Sequence, residues 1–173
     1  QDYLTATGIV NKKILSYEII NGELYQKELN TPFIVSSKIS TESLTTKVSD
    51  GYQLSIGKVI GMQSQLYEAI DRVHPIEITY PNQYDYKIIV KIPKGYVIEN
   101  PDSLVFNKSY LSVMGNKICK FESEYELIDN ELVITIQEFY KTLTYQKNRY
   151  NEFRDVINSA SDFYNTSLKF VKN

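Results

Sequence analysis

The chain has 173 residues, with 42% hydrophobic and 23% charged residues and a formal net charge of -2. That length and composition suit one large or two small globular domains with a sizeable core. They exclude a polybasic surface for nucleic acid or anionic lipid, and no apolar run approaches the roughly 18 to 20 residues of a membrane-spanning helix, so neither nucleic acid nor membrane insertion is expected.

The start, Gln1-Asp2-Tyr3, lacks the basic and apolar regions of a signal peptide. Either a leader has been removed or the chain is a piece of a larger multidomain protein. Short β-like runs follow, punctuated by Asn, Gly, Asp and Pro. Residues 14–20 and 23–29 flank Asn21-Gly22, a dipeptide that favours a two-residue type I′ turn, so a hairpin is expected there. Residues 36–48 are rich in Ser and Thr, with Ile39 and Leu44 as sparse anchors, and read as exposed strand and loop. Residues 52–56 alternate apolar and polar as a strand does. Gly57 and Gly61 argue for irregular backbone, and 63–69 has the composition of a helical turn. A weak internal boundary lies near 71–73, within a single β-sandwich-like domain spanning 1–173.

Residues 76–80 read as a short strand ended by Pro81-Asn82, and 86–92 as a strand stopped by Pro93. Lys94-Gly95 makes a turn, after which 96–98 resumes the extended path. Asp129-Asn130 separates two long strands, 117–128 and 131–143, expected to pair antiparallel with Leu132, Ile134 and Ile136 in the core. Tyr150, Phe153, Val156, Ile157, Ala160, Phe163 and Tyr164 recur at spacings of three and four, the stripe of an amphipathic helix. Asn148 is placed to cap its start and Asn165 to take the left-handed position at its end. Residues 168–171 read as a last strand. The fold class is therefore mostly β: an antiparallel β-sandwich with one C-terminal amphipathic helix.

No catalytic, cofactor-binding or metal-binding set stands out, and no cofactor is expected. Cys119 is the only cysteine and His74 the only histidine, so a thiol–imidazole pair has one possible composition. Cys119 sits in a strand-like run without a helix N-terminus to activate it, and His74 lies in a loop before Pro75. One His and one Cys cannot build a zinc site without several carboxylates, and the acids lack calcium-loop spacing. Glu122, Glu124 and Glu126 share one solvated strand face. Glu131 and Glu138 fall on opposite faces and cannot act as an acid–base pair. Lys94-Gly95, and Gly57 with Gly61, lack the setting of a phosphate or nucleotide loop. Asn107-Lys-Ser109 and Asn165-Thr-Ser167 match glycosylation triplets. Arg72 and Arg154 are expected to be held by carboxylates as structural ties. The excess of Tyr, 15 against 7 Phe and no Trp, fits half-buried sheet positions. It also leaves open an aromatic platform, with a free-standing carbohydrate- or peptide-binding β-sandwich as the alternative function.

Six stretches carry a resemblance. They are Ile60-Gly-Met-Gln-Ser-Gln-Leu-Tyr67, Arg72-Val-His-Pro-Ile-Glu77, Ile92-Pro-Lys-Gly-Tyr96 with Asn100 and Leu104 downstream, Phe121-Glu-Ser-Glu-Tyr125, Glu138-Phe-Tyr140, and 150–163. In this order the chain resembles the C-terminal β-domain of unknown function that follows the transglutaminase-like (papain-like cysteine hydrolase) domain in secreted or periplasmic proteins of Gram-negative bacteria. The resemblance covers roughly 52–172. It departs at Asn158-Ser-Ala-Ser-Asp-Phe-Tyr164, where the family tends to have alanines and a final Asn. The family's catalytic residues belong to the preceding domain, and none is matched here. The resemblance implies a non-catalytic accessory domain, a periplasmic or secreted location, and the upstream transglutaminase-like domain of the same polypeptide as partner.

Overall fold

In a computed structural model the chain is described over residues 9–23, 31–66 and 72–173. The elements are β1 (Lys13–Ile20), β2 (Ile34–Ser40), β3 (Thr45–Val48), β4 (Gly51–Leu54), β5 (Ile76–Glu77), β6 (Asn82–Lys91), β7 (Tyr96–Ile98), β8 (Phe106–Leu111), β9 (Lys117–Ile128), β10 (Glu131–Tyr140), β11 (Thr144–Tyr145), helix α1 (Tyr150–Tyr164) and β12 (Leu168–Lys172). Short 3-10 turns at Ile56–Ile60, Pro101–Leu104 and Lys147–Arg149 connect them. The expected mostly-β, antiparallel architecture with one C-terminal helix is the one observed.

Two four-stranded sheets carry the fold, in the orders β6-β10-β9-β8 and β3-β4-β12-β7. The first is built around the β9–β10 hairpin. Asp129 and Asn130 both take positive φ, 47° and 67°, and the Ile128–Glu131 pair closes on them. Those are the backbone angles of a I′ turn, whose twist matches that of the strands it joins. Along β10, Leu132, Ile134 and Ile136 are fully buried, while Val133, Thr135 and Gln137 face outward. The second sheet pairs β12 with both β4 and β7, so segments on either side of 71–73 share a sheet. One core cluster draws Phe121, Leu132 and Ile134 from the first sheet, Leu168 and Phe170 from the second, and Phe153, Val156 and Phe163 from the helix.

Helix α1 starts and ends differently from the sequence expectation. Residues 147–149 first wind into a 3-10 turn, so Arg149 rather than Asn148 is the N-cap, without a side-chain cap. The first turn is instead tied by Arg149, whose Nε donates to Glu152 Oε1 at 2.7 Å. Asn165 keeps right-handed angles, φ -86° and ψ -1°, and its Nδ2 donates to the Ser161 carbonyl at 2.9 Å. Gly57, in the turn before residue 61, lies against the end of the helix. A Cβ there would sit 1.9 Å from the Phe163 carbonyl oxygen, and its N–H donates to Thr166 O at 3.1 Å.

The N-terminal hairpin also differs. Strand β1 pairs with β2, Ile20 opposite Ile34, so the connection is long and not the two-residue turn expected at Asn21-Gly22. Asn21 takes φ 57° but Gly22 does not follow it into positive φ, whereas a I′ turn needs both. Asn21 Nδ2 donates instead to Pro32 O at 2.9 Å. Residues 24–29 of the expected return strand lie outside the described residues, as do 67–69 of the expected helical turn. Residues 61–66 form no regular element.

Two strand boundaries move. The run expected over 76–80 is a two-residue bridge to β11, and β6 begins at Asn82, four residues before the apolar alternation becomes readable.

Candidate functional site

The helix covers only half of the larger sheet. It packs chiefly on β8 and β9 and reaches the end of β10 through Phe153, whose ring lies 6.2 Å from that of Tyr140, while β6 lies beyond its main contacts. Antiparallel pairing places Asn82 opposite Tyr140, Tyr84 opposite Glu138, and Tyr86 opposite Ile136. Directly opposed residues project from the same side of a sheet, so these side chains share the inner face. The segment 59–64 runs along the open side, anchored at its end where Asn158 accepts from Leu66 N at 2.8 Å and donates back to Leu66 O at 3.1 Å. Between them lies a cleft of about 910 Å³ with Ile60, Phe153 and Ile157 among its apolar walls.

Glu138 is the chemical focus. It lines this cleft yet is 4% exposed, and Tyr140 donates its hydroxyl to Glu138 Oε1 at 2.7 Å. Burial pushes the Glu138 carboxyl above the ordinary glutamate range, against the opposing effect of the Tyr140 hydrogen bond. Burial, followed by the Glu138 charge, likewise raises the Tyr140 hydroxyl. Asn82 Oδ1 is buried without a hydrogen-bond partner. Tyr84 and Tyr86 stack with ring centroids 6.5 Å apart and planes at 17°, and Tyr84 is 46% exposed. On the outer side of the same strands, Gln83 and Gln137 donate to Asp85 at 2.7 and 2.8 Å and hold its carboxyl low.

The residues singled out by sequence fall elsewhere. Cys119 is fully buried on β9 opposite both Tyr140 and Tyr110. Burial first, and the nearby Glu138 second, push its thiol far up, the reverse of what a nucleophile needs. His74 is exposed in the bend before β5. Glu122 is tied to Lys117 and Lys120, while Glu124 and Glu126 are exposed. Glu131 is half-buried with Lys91 4.0 Å away. Among the described residues, no group of three His, Cys, Asp or Glu could hold a metal ion.

The two arginines are a correction. Neither forms a carboxylate ion pair among the described residues. Arg72 lies 5.3 Å over the Tyr150 ring, and Arg154 buries Nη1 without a hydrogen-bond partner. The forked pair belongs to Arg149, which also donates to Leu111 O at 2.6 Å and lies 4.2 Å over Tyr110. Arg149 opens a helix, and its partner Glu152 follows at i+3, the signal that finds it. The cleft itself was missed because Asn82 and Glu138 are polar at inward positions, which breaks the alternation used to read strands.

Of the 15 tyrosines, Tyr110, Tyr140 and Tyr145 are buried, and Tyr17, Tyr52, Tyr80 and Tyr84 are exposed. Besides the near-parallel Tyr84–Tyr86 pair, Tyr52 meets Tyr96 at a tilt of 54°.

The molecule is thus a mostly-β antiparallel domain whose one described helix covers part of a sheet and leaves a cleft beside it. The family model for DUF3858, a Domain of Unknown Function with a solved structure, matches residues 52–170, and the chain belongs to this family. That span is close to the stretch carrying the resemblance noted above, and it opens within β4. No curated protein and no solved structure matches the chain.

Proposed function

We propose that the chain is a non-catalytic accessory domain of a larger transglutaminase-like protein, periplasmic or secreted, in which it packs against the upstream enzyme-like domain. The observation that carries this reading is the β1–β2 ribbon. It precedes the family-matched segment and bears Tyr17, Ile19, Phe33 and Val35, all exposed, with none of its residues in the core cluster. Exposed apolar residues grouped this way mark a surface that another body covers. An adjoining domain of the same polypeptide is the occupant that the family order supplies. The compartment rests on the resemblance. The inert setting of Cys119 supports a supporting rather than a catalytic role.

The test is the size and location of the native protein in its source cells, followed with an antibody to this chain. The expected product is far larger than 20.1 kDa, fractionates outside the cytoplasm, and yields upstream peptides of a transglutaminase-like domain. A native product of the size of this chain, or thiol-dependent hydrolysis by the isolated chain, overturns the reading.

A further inference from the structure

We propose that the cleft between β6, the 59–64 segment and α1 is a binding site for an organic cation, an ammonium or guanidinium group on a short aliphatic stem. The inference is independent of the accessory-domain reading and rests on the polar inventory of the cleft. No Lys, Arg or His lines the cleft, and of its two acids Glu138 is on the inner face while the Asp85 side chain is on the outer side of β6. Two acceptors stand open in the cleft. Glu138 has one oxygen engaged by Tyr140, and Asn82 Oδ1 has no donor. The amide donors are partly spent, Gln83 on Asp85 at 2.7 Å and Gln63 on Gly61 O at 3.5 Å.

A donor-only ligand answers that set. A guanidinium or ammonium has N–H groups to give and no acceptor to satisfy. The faces of Tyr84 and Tyr86 attract positive charge through the ring quadrupole. Ile60, Phe153 and Ile157 offer apolar surface to the stem. A neutral polyhydroxyl ligand also stacks on tyrosine, but it brings no charge to pair with the Glu138 carboxylate.

The site carries a pH signature. The groups facing Glu138 are Tyr140 on its own strand, Cys119 on β9 and Tyr84 on β6, with apolar Phe153 and Ile157 from the helix. Tyr140 and Cys119 are raised and stay protonated, and Asp85 is held low and stays ionised. Glu138 is therefore the group that titrates, and a cation favours its charged form. Binding releases a proton, so affinity rises with pH through the Glu138 titration.

The experiment is calorimetric titration of the full chain with n-butylguanidinium, and with its neutral isostere n-butylurea, from about pH 5 to about pH 8. The expected result is saturable binding of the cation, at least about tenfold weaker for the urea, and strengthening with pH. Glu138→Gln weakens the cation by about tenfold and flattens the pH dependence. Tyr84→Leu, at an exposed position, weakens it several-fold and serves where the Glu138 variant fails to fold. No saturable cation binding, equal binding of the urea or of maltotriose, or cation binding unchanged in both variants overturns the proposal.

Discussion

The β1–β2 ribbon and the β9–β10 hairpin are made of the same kind of sequence, two apolar-rich strands with an Asn-containing break, yet they end in opposite environments. In the hairpin, both turn residues adopt positive φ, the register carries through ten residues of each strand, and the inner face is roofed by Phe163 and Val156 from the helix. In the ribbon, a bulge interrupts the pairing between Ile14 and Ser16, and Ile19 and Tyr17 are 53% and 70% exposed. Apolar strands stabilise a fold only where something buries them. The hairpin finds its cover within the chain, and the ribbon finds none among the described residues.

The sharpest break of this comparison is truncation in each region. Leu132→Ala removes a fully buried side chain and should cost about 3–4 kcal/mol by denaturant unfolding. Ile19→Ala on the ribbon should cost less than about 0.5 kcal/mol. Equal losses would show the ribbon to be part of the folded unit. Next in size is Gly57→Ala. Its Cβ meets backbone at the end of α1 rather than a movable side-chain tip, so the turn must shift away from the helix, at about 2 kcal/mol. An unchanged melting curve would mean that this junction yields freely.

A smaller effect separates the two faces of the sheet by pH. Glu138 is raised in the folded state, so its contribution to stability is greatest below the unfolded glutamate pKa and is lost as pH rises through the folded one. Glu122 is lowered, first by Lys117 and then by Lys120, so its contribution is present at neutral pH and is lost as the solution becomes acidic. Glu138→Gln should therefore be best tolerated, relative to the parent chain, toward alkaline pH, and Glu122→Gln toward acid pH. Parallel unfolding curves across the pH range for both variants would contradict the assignment. The smallest effect is on the ribbon surface, where the double change Tyr17→Ser with Ile19→Ser should leave melting unchanged while reducing binding of an apolar dye. Unaltered dye binding would place the accessible apolar surface elsewhere.

Some of this was legible from residues alone. Strand β9 has the expected bounds, and the apolar stripe of α1 is the one observed, since long alternation and a three–four stripe each encode one buried face. Other features were not. Strand β6 starts four residues early because Asn82, Tyr84 and Tyr86 follow a period of two without being uniformly apolar. The helix start was misplaced by one residue because a 3-10 turn intervenes, and the Arg ties were assigned to Arg72 and Arg154 in place of Arg149, because which side chains meet is not a property of spacing beyond one helical turn.

The sequence by itself determined the class: local periodicity is set by backbone geometry, so strand, turn and helix follow from the order of apolar and polar residues. Only the tertiary structure decided that Glu138 sits in a cleft with Tyr84 and Asn82. That depends on strand register and on α1 covering β8 and β9 while leaving β6 uncovered, and both arise from contacts between residues far apart in the chain. The same holds for the ribbon, whose apolar residues have the composition of a core strand and are exposed because no other element of the described chain lies over them.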